Sequence, residues 1–119
     1  MSKEKVEING EIYIKQEEGT KDNFENQDFC IIRTYSAGVF MGYIESRVGK
    51  EAVIRKSRRI WYWDGACSLS ELAVKGTSCP ENCKFAMEVD KEILTEVIEI
   101  LYCTKEAEEN LKGVYVWQK

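Results

Sequence analysis

The run RRIWYW, residues 58–63, sets Arg58 and Arg59 directly against Trp61, Tyr62 and Trp63. Those residue types suit one kind of chemistry. A guanidinium presents a planar fork of N–H donors that matches the oxygens of a phosphate. An aromatic ring stacks on a nucleobase, contributing about 1–3 kcal/mol per base. If the run is a strand, successive side chains point to opposite faces, so Arg59, Trp61 and Trp63 share one face and Arg58, Ile60 and Tyr62 the other. The same residues also suit a strand whose rings are core and whose arginines pair with some of the 21 acids. Composition leaves both readings open.

A second group is RTYSAG, from Arg33 and Thr34 to Gly38. Arginine, hydroxyls and a glycine can surround an anion with a charge, side-chain donors and backbone N–H groups. The run is not a Walker sequence, no lysine follows it, and a strand end entering a bulge reads the same way. A third group is Cys79 and Cys83, with Cys67 and Cys103 elsewhere. Four thiolates could hold zinc, but this spacing matches paired zinc knuckles poorly. The chain has no histidine, which removes the commonest base and metal ligand. Cys79 therefore has no neighbouring base to activate it. The pairs Glu17-Glu18 and Glu108-Glu109 sit in solvated runs. No catalytic residue, metal or cofactor is expected, and the chain reads as a non-enzyme.

The elements that must position these groups are those of one domain, since 119 residues supply a single core. Hydrophobic residues at 44% and charged residues at 32% are ordinary for a folded protein. A formal charge of −4 argues against binding along duplex nucleic acid, which needs many cationic contacts to phosphates. The apolar runs reach about six residues where a membrane span needs about twenty, and MSKEKVE does not read as a secretory signal. A cytoplasmic protein is expected, its five cysteines reduced.

Asn9-Gly10 between short alternating segments predicts a hairpin, and the polar run from Gln16 to Asp28 a loop, so residues 1–28 read as an N-terminal arm. Residues 29–119 read as the main domain. Strands are expected at Phe29–Arg33, Val39–Ser46 and Ala52–Ser57, with RRIWYW continuing or following the third. Ser68 with Glu71 forms a capping box, and Gly76 a stop, for a helix over about 68–75. KFAMEV predicts a strand on the alternation of Phe85, Met87 and Val89. KEILTEVIEILYCT carries both a helical stripe and a β-branched run; a strand over Val97–Cys103 is favoured, because Thr104 then caps a helix over about 104–112 that stops at Gly113. VYVW predicts a last strand. The fold class is α+β, a mostly antiparallel sheet with two short helices.

The residues RTYSAGVF and RRIWYWDGA, with PENCKF, EVIEI and a terminal VW, resemble a family of small phage and prophage proteins of unassigned domain type, over roughly residues 29–117. The chain is also similar to the Thoeris anti-defense protein 1 group. That resemblance implies a non-catalytic, oligomeric sponge that sequesters a cyclic ADP-ribose isomer or a cyclic oligonucleotide in the infected host cell. On the chemistry above, phosphate contacts fall to Arg59 with Arg58 beside it, and Arg33 with Thr34 forms a second site. A stacking ring is expected at Trp61 or Trp63, or at Phe85 beside Lys84, and Asn82 reads an adenine edge or a ribose hydroxyl. A homo-oligomer is expected, because such a pocket is better sheltered between subunits. The alternative is a module that inhibits a host protein through the same aromatic and arginine face.

Overall fold

Phe29–Thr34 (β1) is apolar at consecutive positions because both of its faces are buried. Phe29 and Ile31 join one core while Cys30 and Ile32 join another. A strand of that kind must be central, and β1 lies between two neighbours. The computed structural model describes residues 27–118, so the expected hairpin arm falls outside the described residues. β1 pairs antiparallel with β2 (Val39–Val48), which turns through Gly49 and Lys50 into β3 (Glu51–Tyr62). Gly49 takes φ +60°, the positive angle that a two-residue hairpin of this hand requires.

The free edge of β3 is shared by β4 (Lys84–Phe85) and β5 (Val89–Leu94), and β6 (Val97–Tyr102) pairs with the other side of β1. All these strand pairings are antiparallel. β5 and β6 therefore lie on opposite edges of the sheet, yet only Thr95 and Glu96 separate them in the chain. The sheet must curl for so short a link to reach. It does so: the Val97 N–H donates to the Lys50 carbonyl and the Tyr35 N–H to the Glu96 carbonyl, each at 2.9 Å. The curl encloses Cys30, Ile32, Phe40, Ala52, Ile54, Leu94 and Val97, a core that no helix touches.

The opposite face is covered by α1 (Leu69–Lys75) and α2 (Lys105–Lys112), which seal Phe29, Ile31, Met41, Ile60 and Phe85. Both helices begin where capping predicts. Ser68 Oγ accepts from the Glu71 N–H at 3.1 Å and Thr104 Oγ1 from the Ala107 N–H at 3.0 Å. The Glu71 carboxylate reaches the Cys67 N–H, which holds its pKa below the usual value. After α1 the chain is clamped to α2. Asn110 accepts from the Thr77 N–H at 2.8 Å and donates to the Thr77 carbonyl at 3.0 Å. Thr77 is buried, so Asn110→Ala is expected to lower stability by about 2 kcal/mol in urea unfolding, with both backbone groups left unpaired.

Two expectations are corrected. KFAMEV is not one strand: it breaks after Phe85, where the Ala86 N–H bonds to the Arg59 carbonyl and the Ala86 carbonyl accepts from Arg58. The following strand runs through KEIL, which carried a helical stripe in sequence. VYVW makes only a single parallel bridge, Val116 to Phe85, because β4 offers a two-residue edge.

The feature that sets the facing of RRIWYW is a bulge in β3. Tyr43 faces Arg55 and Met41 faces Arg58, so two steps on β2 oppose three on β3. The extra residue is Lys56, with φ +56°. Ala52 and Ile54 point into the curl before it. Beyond it the parity reverses, and Arg59 lies against the core ring of Phe40 while Ile60 joins the helix-side core.

Candidate functional site

The reversed parity brings RRIWYW against RTYSAG. Arg59 is the cross-strand partner of Phe40, and its guanidinium lies 5.0 Å from the Phe40 ring centroid and 4.6 Å from that of Trp61. One nitrogen, Nη2, donates to the Ala37 carbonyl. The loop that presents Ala37 is tight: the Thr34 N–H and Oγ1 both donate to the Gly38 carbonyl, at 3.0 and 2.8 Å, and the Ala37 N–H donates to Thr34 Oγ1. Gly38 takes φ +109°, which favours glycine, and a Cβ there would lie 3.7 Å from Arg59 Nε, an ordinary contact.

Arg59 Nε itself is shut off from solvent and has no hydrogen-bond partner among the described residues. A buried donor on a charged group without an acceptor is costly and calls for an explanation. Arg59 borders a cleft of about 150 Å3 lined also by Thr34, Ala37, Phe40 and the stretch Glu92–Glu96. Two carboxylates share that lining. Glu92 accepts from Ser57 Oγ at 2.7 Å and Glu96 accepts from Ser36 Oγ. Neither pairs with Arg59, which makes no ion pair among the described residues. Glu96 also lines a neighbouring pocket of about 240 Å3 with Tyr35, Lys50 and Ile98. Trp61 stands at the cleft's arginine, 57% exposed.

The other expected site residues go elsewhere. Arg58 faces the helix side, where Nε donates to the Ala86 carbonyl at 2.8 Å, Nη1 to Val114 at 2.9 Å and Nη2 to Tyr115 at 3.3 Å. Burial pulls its pKa below the usual guanidinium value. Each of its nitrogens holds backbone, so its role is structural. Phe85 is fully buried beneath Arg58 and has no open face for a base. Trp63 follows the end of β3, packs against the helix-side core and donates to the Ala66 carbonyl, so it leaves the face it was expected to share with Arg59 and Trp61. Arg33 pairs with Glu99 at 2.7 Å in an exposed ion pair and does not line the cleft. Thr34 lines the cleft, but its hydroxyl is engaged within the loop. Lys84 lies above the rings of Trp117 and Tyr62, at 5.3 and 5.9 Å, and Asn82 donates to Asp64 at 3.1 Å. None of Asn82, Lys84 and Phe85 lines the cleft.

Sequence reasoning missed Phe40, Glu92 and Glu96. Phe40 meets Arg59 only through the bulged register. Glu92 and Glu96 resemble solvated acids in KEILTE, and the one signal was that Glu92 alternates with Leu94 if KEIL is a strand.

Of the thiols, Cys30 and Cys103 are pushed up to about 12, chiefly by burial, and stay protonated at neutral pH. Among the described residues no three Cys, Asp or Glu side chains are grouped to hold a metal, and no helix is long and apolar enough to cross a membrane.

A curled antiparallel sheet backed by two helices, with a stacked arginine heading a polar cleft, defines a small single-domain α+β protein. The family model described as Domain of unknown function (DUF6948) matches residues 27–111, and the chain belongs to that family. The match takes in every strand and nearly all of α2. No curated protein and no solved structure matches.

Proposed function

We propose that this domain is a phage anti-defence protein that binds and sequesters, without cleaving, a cyclic nucleotide immune signal, a cyclic ADP-ribose isomer or a cyclic oligonucleotide, in the cytoplasm of the infected cell. One observation carries the reading: Arg59, which makes no ion pair among the described residues, borders an open cleft beside an exposed indole. A bound acceptor would take a hydrogen bond from the Arg59 guanidinium, and Trp61 would stack a base. Sequestration needs affinity and not turnover. The cleft is smaller than the roughly 300 Å3 at which ligand pockets begin, so one copy covers only part of a nucleotide. A second subunit over Trp61 would complete the enclosure, which supports a homo-oligomer.

Calorimetric titration with cyclic ADP-ribose isomers and cyclic di- and trinucleotides tests the proposal. Arg59→Ala is expected to weaken the ligand that binds by about 10- to 100-fold, the loss of one charge-assisted hydrogen bond. Equal affinity in the wild type and the variant would remove Arg59 from the site. A second reading, inhibition of a host protein, rests on the exposed rings of Tyr62 and Trp117 beside Lys84. It gains if no nucleotide binds and Trp117→Ala abolishes capture of a protein partner.

A further inference from the structure

The charges in the cleft decide which part of a nucleotide belongs there. Arg59 contributes one cation, and Glu92 and Glu96 contribute two carboxylates to the same lining. A phosphate set on Arg59 would face both carboxylates, and like charges brought together in a sheltered site repel. A neutral group that offers donors to the carboxylates and an acceptor to Arg59 meets no such opposition. Carboxylates only accept and a guanidinium only donates, so the complement is a heterocycle with an amine beside a ring nitrogen.

Each carboxylate is prepared for this. A serine hydroxyl engages one oxygen of Glu92, from Ser57, and one of Glu96, from Ser36. The second oxygen of each has no hydrogen-bond partner among the described residues. The volume of about 150 Å3 suits one base-sized ring.

The adjoining pocket supplies what the cleft lacks. Its cation is Lys50, which forms no ion pair among the described residues. Its backbone is held against the pocket, because the Lys50 carbonyl accepts from Val97 N–H while Tyr35 N–H bonds to the Glu96 carbonyl. Glu96 is the wall between the two spaces. The surface therefore runs from Arg59 and Glu92, over Glu96, to Lys50, in the order base, sugar, phosphate.

We infer that a nucleotide binds with the amino edge of an adenine-type base between the Arg59 guanidinium and Glu92, its sugar hydroxyls on Glu96 and its phosphate on Lys50. This rests on the reading that the cleft takes a nucleotide, and it reverses the orientation in which Arg59 takes the phosphate.

The test is a nuclear magnetic resonance titration of the full chain with adenosine, AMP, IMP and inorganic phosphate, following the Arg59 Nε resonance. In the wild type AMP is expected to bind about tenfold more tightly than IMP, whose carbonyl would face Glu92. Lys50→Ala is expected to weaken AMP about tenfold and leave adenosine unchanged. Glu92→Gln keeps an acceptor for Ser57 and should narrow the gap between AMP and IMP, with an unchanged melting temperature showing that the fold persists. Inorganic phosphate that moves the Arg59 resonance, or AMP affinity indifferent to Lys50→Ala, overturns the orientation and leaves sequestration standing. If no nucleotide, linear or cyclic, moves any cleft resonance, the orientation and the proposed function fail together.

Discussion

Arg58→Ala is expected to lower the stability of the domain by about 4 kcal/mol, a large share of the 5–15 kcal/mol typical of a domain. Arg58 is 6% exposed, and its guanidinium holds the carbonyls of Ala86, Val114 and Tyr115, which close the edge of the sheet under the chain's C-terminal stretch. A hydrogen bond from a charged donor contributes about 1.5–3 kcal/mol, and a buried carbonyl left without a partner keeps its desolvation cost. Tyr115 is exposed and water can replace that bond, so the loss falls on Ala86 and Val114. Urea unfolding followed by tryptophan fluorescence measures it, since Trp117 is tied to the same edge through the Phe85 carbonyl. Arg58→Lys should recover only part, because one ammonium cannot span three carbonyls. A change below about 1 kcal/mol would show that Arg58 does not hold the edge. The adjacent Arg59→Ala removes the bond from Nη2 to the Ala37 carbonyl and the contacts with the Phe40 and Trp61 rings, but Ala37 is exposed and water can replace its partner, so the expected loss is only about 1 kcal/mol. Adjacent arginines thus divide into one that holds backbone carbonyls and one that borders the cleft.

Gly42→Ala is the second large effect, about 3 kcal/mol of destabilisation. A Cβ at this position would lie 2.6 Å from Ile54 Cγ2, 3.0 Å from the Arg55 carbonyl oxygen and 3.2 Å from Ser57 Cα. The backbone atoms belong to the bulge and cannot retreat without undoing it, so the cost is at the top of the 1–3 kcal/mol usual for overpacking. For a domain of this size the melting temperature should fall by roughly 15 °C. The bulge sets the parity of β3 beyond Lys56. Relaxing it would turn Arg59 from the cleft, so ligand affinity should fall along with stability. A melting temperature within a degree or two of wild type would mean that the bulge does not depend on a bare backbone at residue 42.

Much of the fold was legible because local chemistry and tertiary structure agree. Ser68 with Gly76 and Thr104 with Gly113 bracket the two helices, and the continuous apolar run of β1 marks a strand buried on both faces. The site was legible only in part, because its register depends on one residue that carries no signal. Lys56 adopts a positive φ without being glycine or asparagine, and nothing in VIRKSRR announces it. Alternation read through that point pairs the right residues within RRIWY, yet it cannot say that Arg59 turns inward against Phe40. Arg58 and Phe85 looked like binding residues because composition does not separate a guanidinium that serves carbonyls from one that serves a ligand. Glu92 became visible only once KEIL paired with β3.

Sequestration is tested most directly by the fate of the ligand. The purified protein is saturated with the cyclic nucleotide that binds, freed of excess, incubated and denatured by heat, and the released material is weighed by mass spectrometry. Recovery of the intact cyclic molecule, near one equivalent per site and absent from Arg59→Ala, is the predicted result; a linear or hydrolysed product would contradict the account and make the protein an enzyme.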